Sequence, residues 1–224
     1  MFDIEAKAIA DILESYGPAL QNKIILDIGS STGRYRAEKP QFRHLHEAIV
    51  AVGGAYIGLD LKDADGVDLV GDVTTASTLC EIKKMAPKVV LLNNVLEHLE
   101  DPWKVLQDVW EAIPNDGVLV VSVPMSYPYH PDPIDTMFRP CPEEIVTALM
   151  GATSVVAKVL EDRTLLSRWG SRGAGYMLYR ICRSLAKFAF KSAFDSKHLL
   201  YSDFRWFFRR VSVSLVAVEK KRGA

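Results

Sequence analysis

Short apolar runs, each closed by an acidic residue, an amide or a turn, recur along the chain with room for a helix between them. They fall at residues 24–28, 56–61, 67–70, 89–92 and 118–123. Runs of this length are too short for buried helices and predict buried strands. The intervening segments carry helical spacing instead. Residues 3–15 set Ile4, Ala8, Ile9, Ile12 and Leu13 on one face, and Gly17-Pro18 ends the pattern. Further helices are predicted over 42–52, stopped by Gly53-Gly54, over 75–85, and over 103–113, where Asp101 is placed as N-cap and Pro102 in the first turn. The stretch after Gly33 reads as an Arg-rich link interrupted by Pro40. Alternating strand and helix implies a parallel sheet with helices on both faces, and ligands bind such sheets beyond the carboxyl ends of the strands. A short helix over 143–150 and a sixth strand over 154–160 follow. Apolar residues alternating with Ser212 and Ser214 predict a last strand over 211–218.

Composition adds little until charge is divided along the chain. With 224 residues, 49% apolar and 25% charged, the chain reads as one globular domain with a sizeable core. Residues 1–15 lack a signal-peptide pattern, and no apolar run of 18 residues is free of charge, so no membrane span is expected. Cys80, Cys141 and Cys182 are odd in number and far apart. They suggest neither a disulfide framework nor a metal cluster, and a reducing cytoplasm is the expected compartment. The net charge of −1 hides a division. Residues 1–162 hold 13 Lys/Arg against 25 Asp/Glu, a balance of −12, whereas residues 163–210 hold 11 against 2, a balance of +9. The core is therefore assigned to 1–162 and 211–224, with 163–210 a basic helical insertion between the last two strands.

Within that insertion, residues 176–194 have helical spacing. At 100° per residue Arg180, Arg183, Lys187 and Lys191 fall within an arc of about 80°, opposite Leu178, Ile181, Cys182, Leu185, Phe188 and Ala189. Trp206-Phe207-Phe208-Arg209-Arg210 adds a second basic and aromatic cluster. One reading is a cap whose apolar side packs on the core. Another is docking at an anionic membrane surface through 172–210, or binding of phosphate-bearing acceptors such as lipid-linked sugars. Nucleic acid is the weaker third option.

The candidate chemistry lies at the strand ends. Gly29 and Gly33 bracket a turn after the first strand, where glycine allows a close backbone approach to a ligand. Asp60, followed by Leu61, stands 27 residues beyond Gly33, slightly past the spacing of a ribose-binding carboxylate in doubly wound folds. Asp72 can accept from an adenine amino group. Taken singly, Asp60 reads first as a turn-capping aspartate. Two histidines could act as bases. His98 follows the fourth strand, and His130 lies in a stiff loop with six prolines between residues 124 and 142, where Asp132 or Asp135 could orient it. Both also read as structural loop residues. Glu97 and His98 are only two ligands, so no metal centre is expected.

The order of these signals resembles the class I S-adenosylmethionine-dependent methyltransferases, within them the group carrying Leu-Glu-His-x-x-Asp-Pro. The matching stretches are ILDIGSSTG (25–33), YIGLD (56–60), VGDV (70–73) and NNVLEHLEDPWKVLQDVWEAIPNDGVLVVSVP (93–124), and the resemblance spans residues 22–162. It implies a Rossmann-like, doubly wound, mostly parallel α/β sheet of seven strands with an antiparallel last strand, and S-adenosylmethionine as cofactor. Asp27, Gly29, Ser30 and Gly33 would hold its methionine part, Asp60 and Leu61 the ribose, and Asp72 with Val73 the adenine. Asn93 and Asn94 would line the sulfonium side. His130, His98 and Asp132 are the implied catalytic candidates. Ser31 replaces the usual middle glycine. A nicotinamide cofactor fits less well, because the loop offers Gly-x-x-x-Gly without the G-x-G-x-x-G needed at a pyrophosphate. The implied activity is O- or N-methylation of a small-molecule or sugar/glycan acceptor. The alternatives are a catalytically idle donor-binding domain serving as a membrane or protein-interaction module and, more remotely, a nucleic-acid methyltransferase.

Overall fold

The structure is a computed structural model that describes residues 1–130, 134–191 and 208–221. Seven strands form one sheet in the order β3-β2-β1-β4-β5-β7-β6. They are β1 (Ile24–Ile28), β2 (Ala55–Asp60), β3 (Leu69–Val70), β4 (Val89–Asn93), β5 (Val118–Ser126), β6 (Ala152–Thr164) and β7 (Arg210–Lys220). The β3-β2-β1-β4-β5 pairs are all parallel, and β7 runs antiparallel to both β5 and β6.

Alternation along the inner strands feeds two cores. On one face Ile25, Val89, Leu91, Val118 and Val120 meet Ala8, Ile9, Ile12 and Leu13 of α1 (Asp3–Tyr16) and Leu45, Ala48 and Ile49 of α3 (Gln41–Ala51). On the other, Leu26, Ile28, Val90, Leu92, Leu119 and Val121 meet Ile82 of α4 (Ala76–Met85), the Val105, Leu106 and Val109 row of α5 (Pro102–Ala112), and Ile145 of α6 (Pro142–Ala148). Each inner strand is covered on both sides, which is why its sequence reads as an unbroken apolar run. β6 is the edge and mostly exposed.

Three elements depart from expectation. The link after Gly33 forms a short helix, α2 (Gly33–Glu38), because the Thr32 hydroxyl accepts the Tyr35 N–H as an N-cap before Pro40 intervenes. β3 keeps only two residues, since the chain turns at Gly66 (φ +79°) and Val67 closes that turn onto Ala64. β6 extends to Thr164, pairing with Arg210, so the helices between β6 and β7 start later than the charge division suggested: α7 (Leu165–Gly170) and α8 (Ala174–Lys191). Trp206 and Phe207 lie outside the described residues. Among the described residues, no helix is long and apolar enough to cross a membrane.

The strand order reverses between β1 and β4, which opens a crevice past their carboxyl ends. β1, β2 and β4 deliver the glycine loop, Asp60 and Asn93 to that edge.

Candidate functional site

The loop after β1 is held in shape by its own hydrogen bonds and those of β2. Gly29 (φ +75°) and Ser31 (φ +59°) both take the left-handed conformation, and the N–H groups of Gly29 and Ser30 donate to the Leu59 carbonyl at 2.8 and 3.1 Å. A Cβ on Gly29 would lie 2.4 Å from Val95 Cγ2, so only glycine fits beneath the turn that follows β4. Ser31 thus occupies the middle-glycine position in the glycine conformation, and its N–H donates to Asp60 Oδ2 at 2.8 Å. Arg36 braces the loop from α2. Its guanidinium donates to the carbonyls of Ser30 (3.0 Å), Ser31 (2.8 Å) and Gly66 (2.7 Å) and lies over the Tyr56 ring.

The cofactor candidates divide by where their side chains go. Asp60 is half-buried at the β2 end, oriented by the Ser31 and Lys62 N–H groups and retaining further lone pairs on both oxygens. Leu61 beside it is 69% exposed. Asp72 caps its own turn through Thr74, and Val73 is buried. Asp27 and Ser30 turn inward instead. Tyr56 donates its hydroxyl to Asp27 at 2.8 Å, and burial pushes the Asp27 carboxyl up to about 6 against the opposing pull of Tyr56 and Arg36. The Ser30 hydroxyl packs where a Cβ on Gly58 would be. Gly33 faces Gly66, and its N–H donates to the Asp65 carbonyl at 2.7 Å.

A buried polar network lies at the β4 end. Glu5 of α1 is fully buried. It accepts from the Ser122 hydroxyl and Asn94 Nδ2, both at 2.5 Å, and from the Phe2 N–H at 2.8 Å. Asn94 (φ +53°) is thereby turned toward α1. The Asn93 amide lies 3.0 Å from the Ser122 hydroxyl oxygen, whose one proton goes to Glu5. The sequence reading passed over Glu5. The signal was a carboxylate at positions i−3 and i−4 to Ala8 and Ile9 on the apolar stripe; Glu5 is inside, and Ile4, assigned to that stripe, is 37% exposed.

Beside this network lies a nitrogen and carboxylate cluster. The 3-10 turn Leu96–His98 buries Glu97 completely, with neither carboxyl oxygen hydrogen-bonded, and burial pushes its carboxyl up to about 7. His98 Nε2 is 3.9 Å from Glu97 Oε1, and its Nδ1 meets the Ile134 carbonyl at 2.5 Å. The Glu97 carbonyl accepts from the N–H and hydroxyl of Thr136, which closes the Pro-rich loop over the turn. His130 stacks edge-on against His98, ring centroids 5.3 Å apart. Asp132 lies outside the described residues, and the carboxylate beside His130 is Asp135. Its Oδ2 accepts the His130 N–H at 3.0 Å and lies 3.0 Å from the ring Nδ1, though not aligned as a hydrogen bond there. Burial pushes Asp135 upward, but Arg139 at 2.6 Å and the His130 and Met137 N–H groups outweigh it and hold it below the usual carboxylate range. Burial lowers His130 below its ordinary value despite Asp135, so the ring is neutral at pH 7. One donor atom from each of Glu97, His98 and His130 lies within 4.8 Å of the others.

Two surface cavities lie elsewhere. One of about 400 Å³ is lined by Trp103, Phe138 and Arg139, and one of about 440 Å³ by Ile4, Asp162 and Arg210. On α8 Leu178 is 61% exposed, so this residue does not pack on the core; Arg172 and Arg180 both bond the Tyr176 hydroxyl.

Comparison with solved structures decides the architecture. The chain superposes on a candidate methyltransferase from Bacillus halodurans C-125 with a TM-score of 0.58 at 12% identity, covering 96% of this chain and 100% of the other. It also matches a candidate sarcosine dimethylglycine methyltransferase from Galdieria sulphuraria (TM-score 0.55, 14% identity, 98% and 85% covered). The fold is that of the class I methyltransferases. A third protein with this methyltransferase fold, coclaurine N-methyltransferase bound to N-methylheliamine and SAH, matches with a TM-score of 0.50 at 16% identity over 96% of this chain and 70% of the other. No family model and no curated protein sequence matches the chain.

Proposed function

We propose that this chain is an S-adenosylmethionine-dependent methyltransferase acting on a small-molecule or sugar acceptor. The observation that carries the reading is the Asp60 carboxylate at the β2 end, held by the Ser31 and Lys62 N–H groups against the glycine loop of β1 with lone pairs left on both oxygens. The donor group, when bound, supplies an electrophilic methyl on a sulfonium. Asp60 is pre-oriented to accept the two ribose hydroxyls, with Leu61 offering an apolar face beside them. The Asp72–Val73 turn would meet the adenine, and the backbone of Gly29–Gly33 the methionine end. Asp27 and Ser30 support that loop from beneath, while Glu5, Asn94 and Ser122 fix the wall beside Asn93. His98 and His130 stand at the acceptor end, both able to take a proton when neutral, with Asp135 orienting His130. SAH in the coclaurine N-methyltransferase structure supports the choice of donor.

Calorimetry with S-adenosylmethionine and SAH tests the premise. Both should bind the wild type, and Asp60→Ala should weaken each by at least ~10-fold, as expected for losing a charged hydrogen-bond acceptor. Absence of binding to the wild type would refute the reading. Single-turnover assays over hydroxyl and amine acceptors then separate enzyme from idle domain: His98→Ala and His130→Ala should keep donor affinity and lose turnover. The exposed Leu178, on the face of α8 opposite Arg180 and Arg183, supports contact of this amphipathic helix with an anionic surface. Sedimentation with anionic but not neutral vesicles is the expected result.

A further inference from the structure

We infer that Glu97, His98 and His130 form a binding site for a divalent transition-metal ion. The three arrive from two separate segments, the turn after β4 and the loop after β5, yet bring one carboxyl oxygen and two ring nitrogens within 4.8 Å of one another. Ligands around one ion at metal–ligand distances near 2.1 Å stand roughly 3–4 Å apart, so small side-chain rotations close the site. Glu97 gives the independent reason. It is fully buried, and neither oxygen has a hydrogen-bond partner. The Arg139 guanidinium donates to Asp135 and to the Phe138 carbonyl and makes no hydrogen bond to Glu97. A buried unpaired carboxylate is among the costliest arrangements in a protein interior, and a dication bound beside it removes the cost.

The outer contacts fit the same reading. The Ile134 carbonyl at His98 Nδ1 fixes that nitrogen as the protonated one and leaves Nε2, which faces Glu97, unprotonated. Asp135 holds His130 by its backbone N–H and lies 3.0 Å from the ring Nδ1 without a hydrogen bond there, so His98 is the one whose ring has the outer-shell oxygen partner that metal-bound imidazoles use. Two imidazoles and one carboxylate favour zinc, manganese or iron over magnesium and calcium, which prefer all-oxygen sites. Three protein ligands leave coordination positions open. There an acceptor hydroxyl could bind and release its proton to solvent water, with the histidines serving as ligands in place of bases. That use rests on the methyltransferase reading; the metal site does not.

The test is titration of the EDTA-treated full-length protein with Co²⁺ alone, followed by absorption, and with Zn²⁺ alone, followed by calorimetry. One ion per chain is expected. Glu97→Gln, His98→Ala and His130→Ala should each weaken binding by more than about 100-fold, beyond what loss of an outer-shell partner costs. His46→Ala, at an exposed histidine on α3, should leave it unchanged. The isosteric Glu97→Gln serves as the deciding variant if a histidine variant does not fold. Failure of the wild type to bind one ion, or wild-type affinity in Glu97→Gln, would overturn the inference. S-adenosylmethionine binding by the metal-free protein is measured separately, so loss of one reading leaves the other standing.

Discussion

Replacing Gly29 by alanine separates two costs that usually arrive together. The residue sits at φ +75°, where an L side chain costs roughly 1–2 kcal/mol. The new methyl would also lie 2.4 Å from Val95 Cγ2, and relieving such overpacking costs typically 1–3 kcal/mol. Gly29→Ala should therefore lose about 2–5 kcal/mol of stability. Gly151 provides the control. It has φ +71° with no atom within 4 Å of where a Cβ would stand, so Gly151→Ala carries the backbone cost alone, about 1–2 kcal/mol. Trimming the opposing side chain should recover the steric part. The Gly29→Ala/Val95→Ala double variant is expected to be about 1–3 kcal/mol more stable than the sum of the single changes predicts. Urea denaturation followed by circular dichroism, with midpoints compared at constant slope, reads the wild type, Gly29→Ala, Val95→Ala, the double variant and Gly151→Ala. Two results would refute the reasoning: Gly29→Ala no worse than Gly151→Ala, or a double variant that is simply additive.

Other perturbations probe the layer beneath the site. Asp27 ionises at about 6 in the folded protein, above its unfolded value near 3.9. The native state therefore holds the extra proton between those values, and this group's contribution to stability falls as pH rises from 4 to 6. The deficit at pH 7 is on the order of 3 kcal/mol, so Asp27→Asn should be the more stable protein at pH 7–8 and match wild type near pH 4. Parallel stability–pH curves would contradict this. Glu5→Ala removes the carboxylate that accepts from the Phe2 N–H, the Ser122 hydroxyl and Asn94 Nδ2, and should cost about 3–5 kcal/mol in thermal denaturation; a loss below 1 kcal/mol would refute a structural role for this carboxylate. Ser31→Gly should be neutral within about 1 kcal/mol, as relieved strain offsets the entropy of a freer unfolded chain, whereas the β-branched Ser31→Val should lose at least that much.

The strands and the crevice were legible because each inner strand is buried on both faces and because glycine and acid fall at successive carboxyl ends. β1 matches its expected bounds, and Asp60 is a strand-end carboxylate as read. Facing was harder to read. Asp27 shares the α1 and α3 side of β1 with Ile25, so its carboxylate turns to Tyr56, a partner 29 positions away. Glu5 was passed over, since its partners Asn94 and Ser122 lie 89 and 117 positions along the chain. The same distance problem hid the third member of the Glu97–His98 pair. His130 joins it only because the Pro-rich loop folds back, through Ile134 and Thr136, onto the turn after β4.

The sheet order carries a consequence for how the chain can vary. β7 sits between β5 and β6, so among the described residues β6 gains its one strand partner from a segment that begins 46 positions after Thr164. Whatever lies between must loop out and return. The entropy of closing such a loop grows only slowly, about 0.6 kcal/mol for each doubling of its length. Residues could thus be added, removed or exchanged there at little thermodynamic expense, far in sequence from the glycine loop and Asp60. The junction between β6 and β7 is where this architecture can acquire new specificity while its donor end stays as it is.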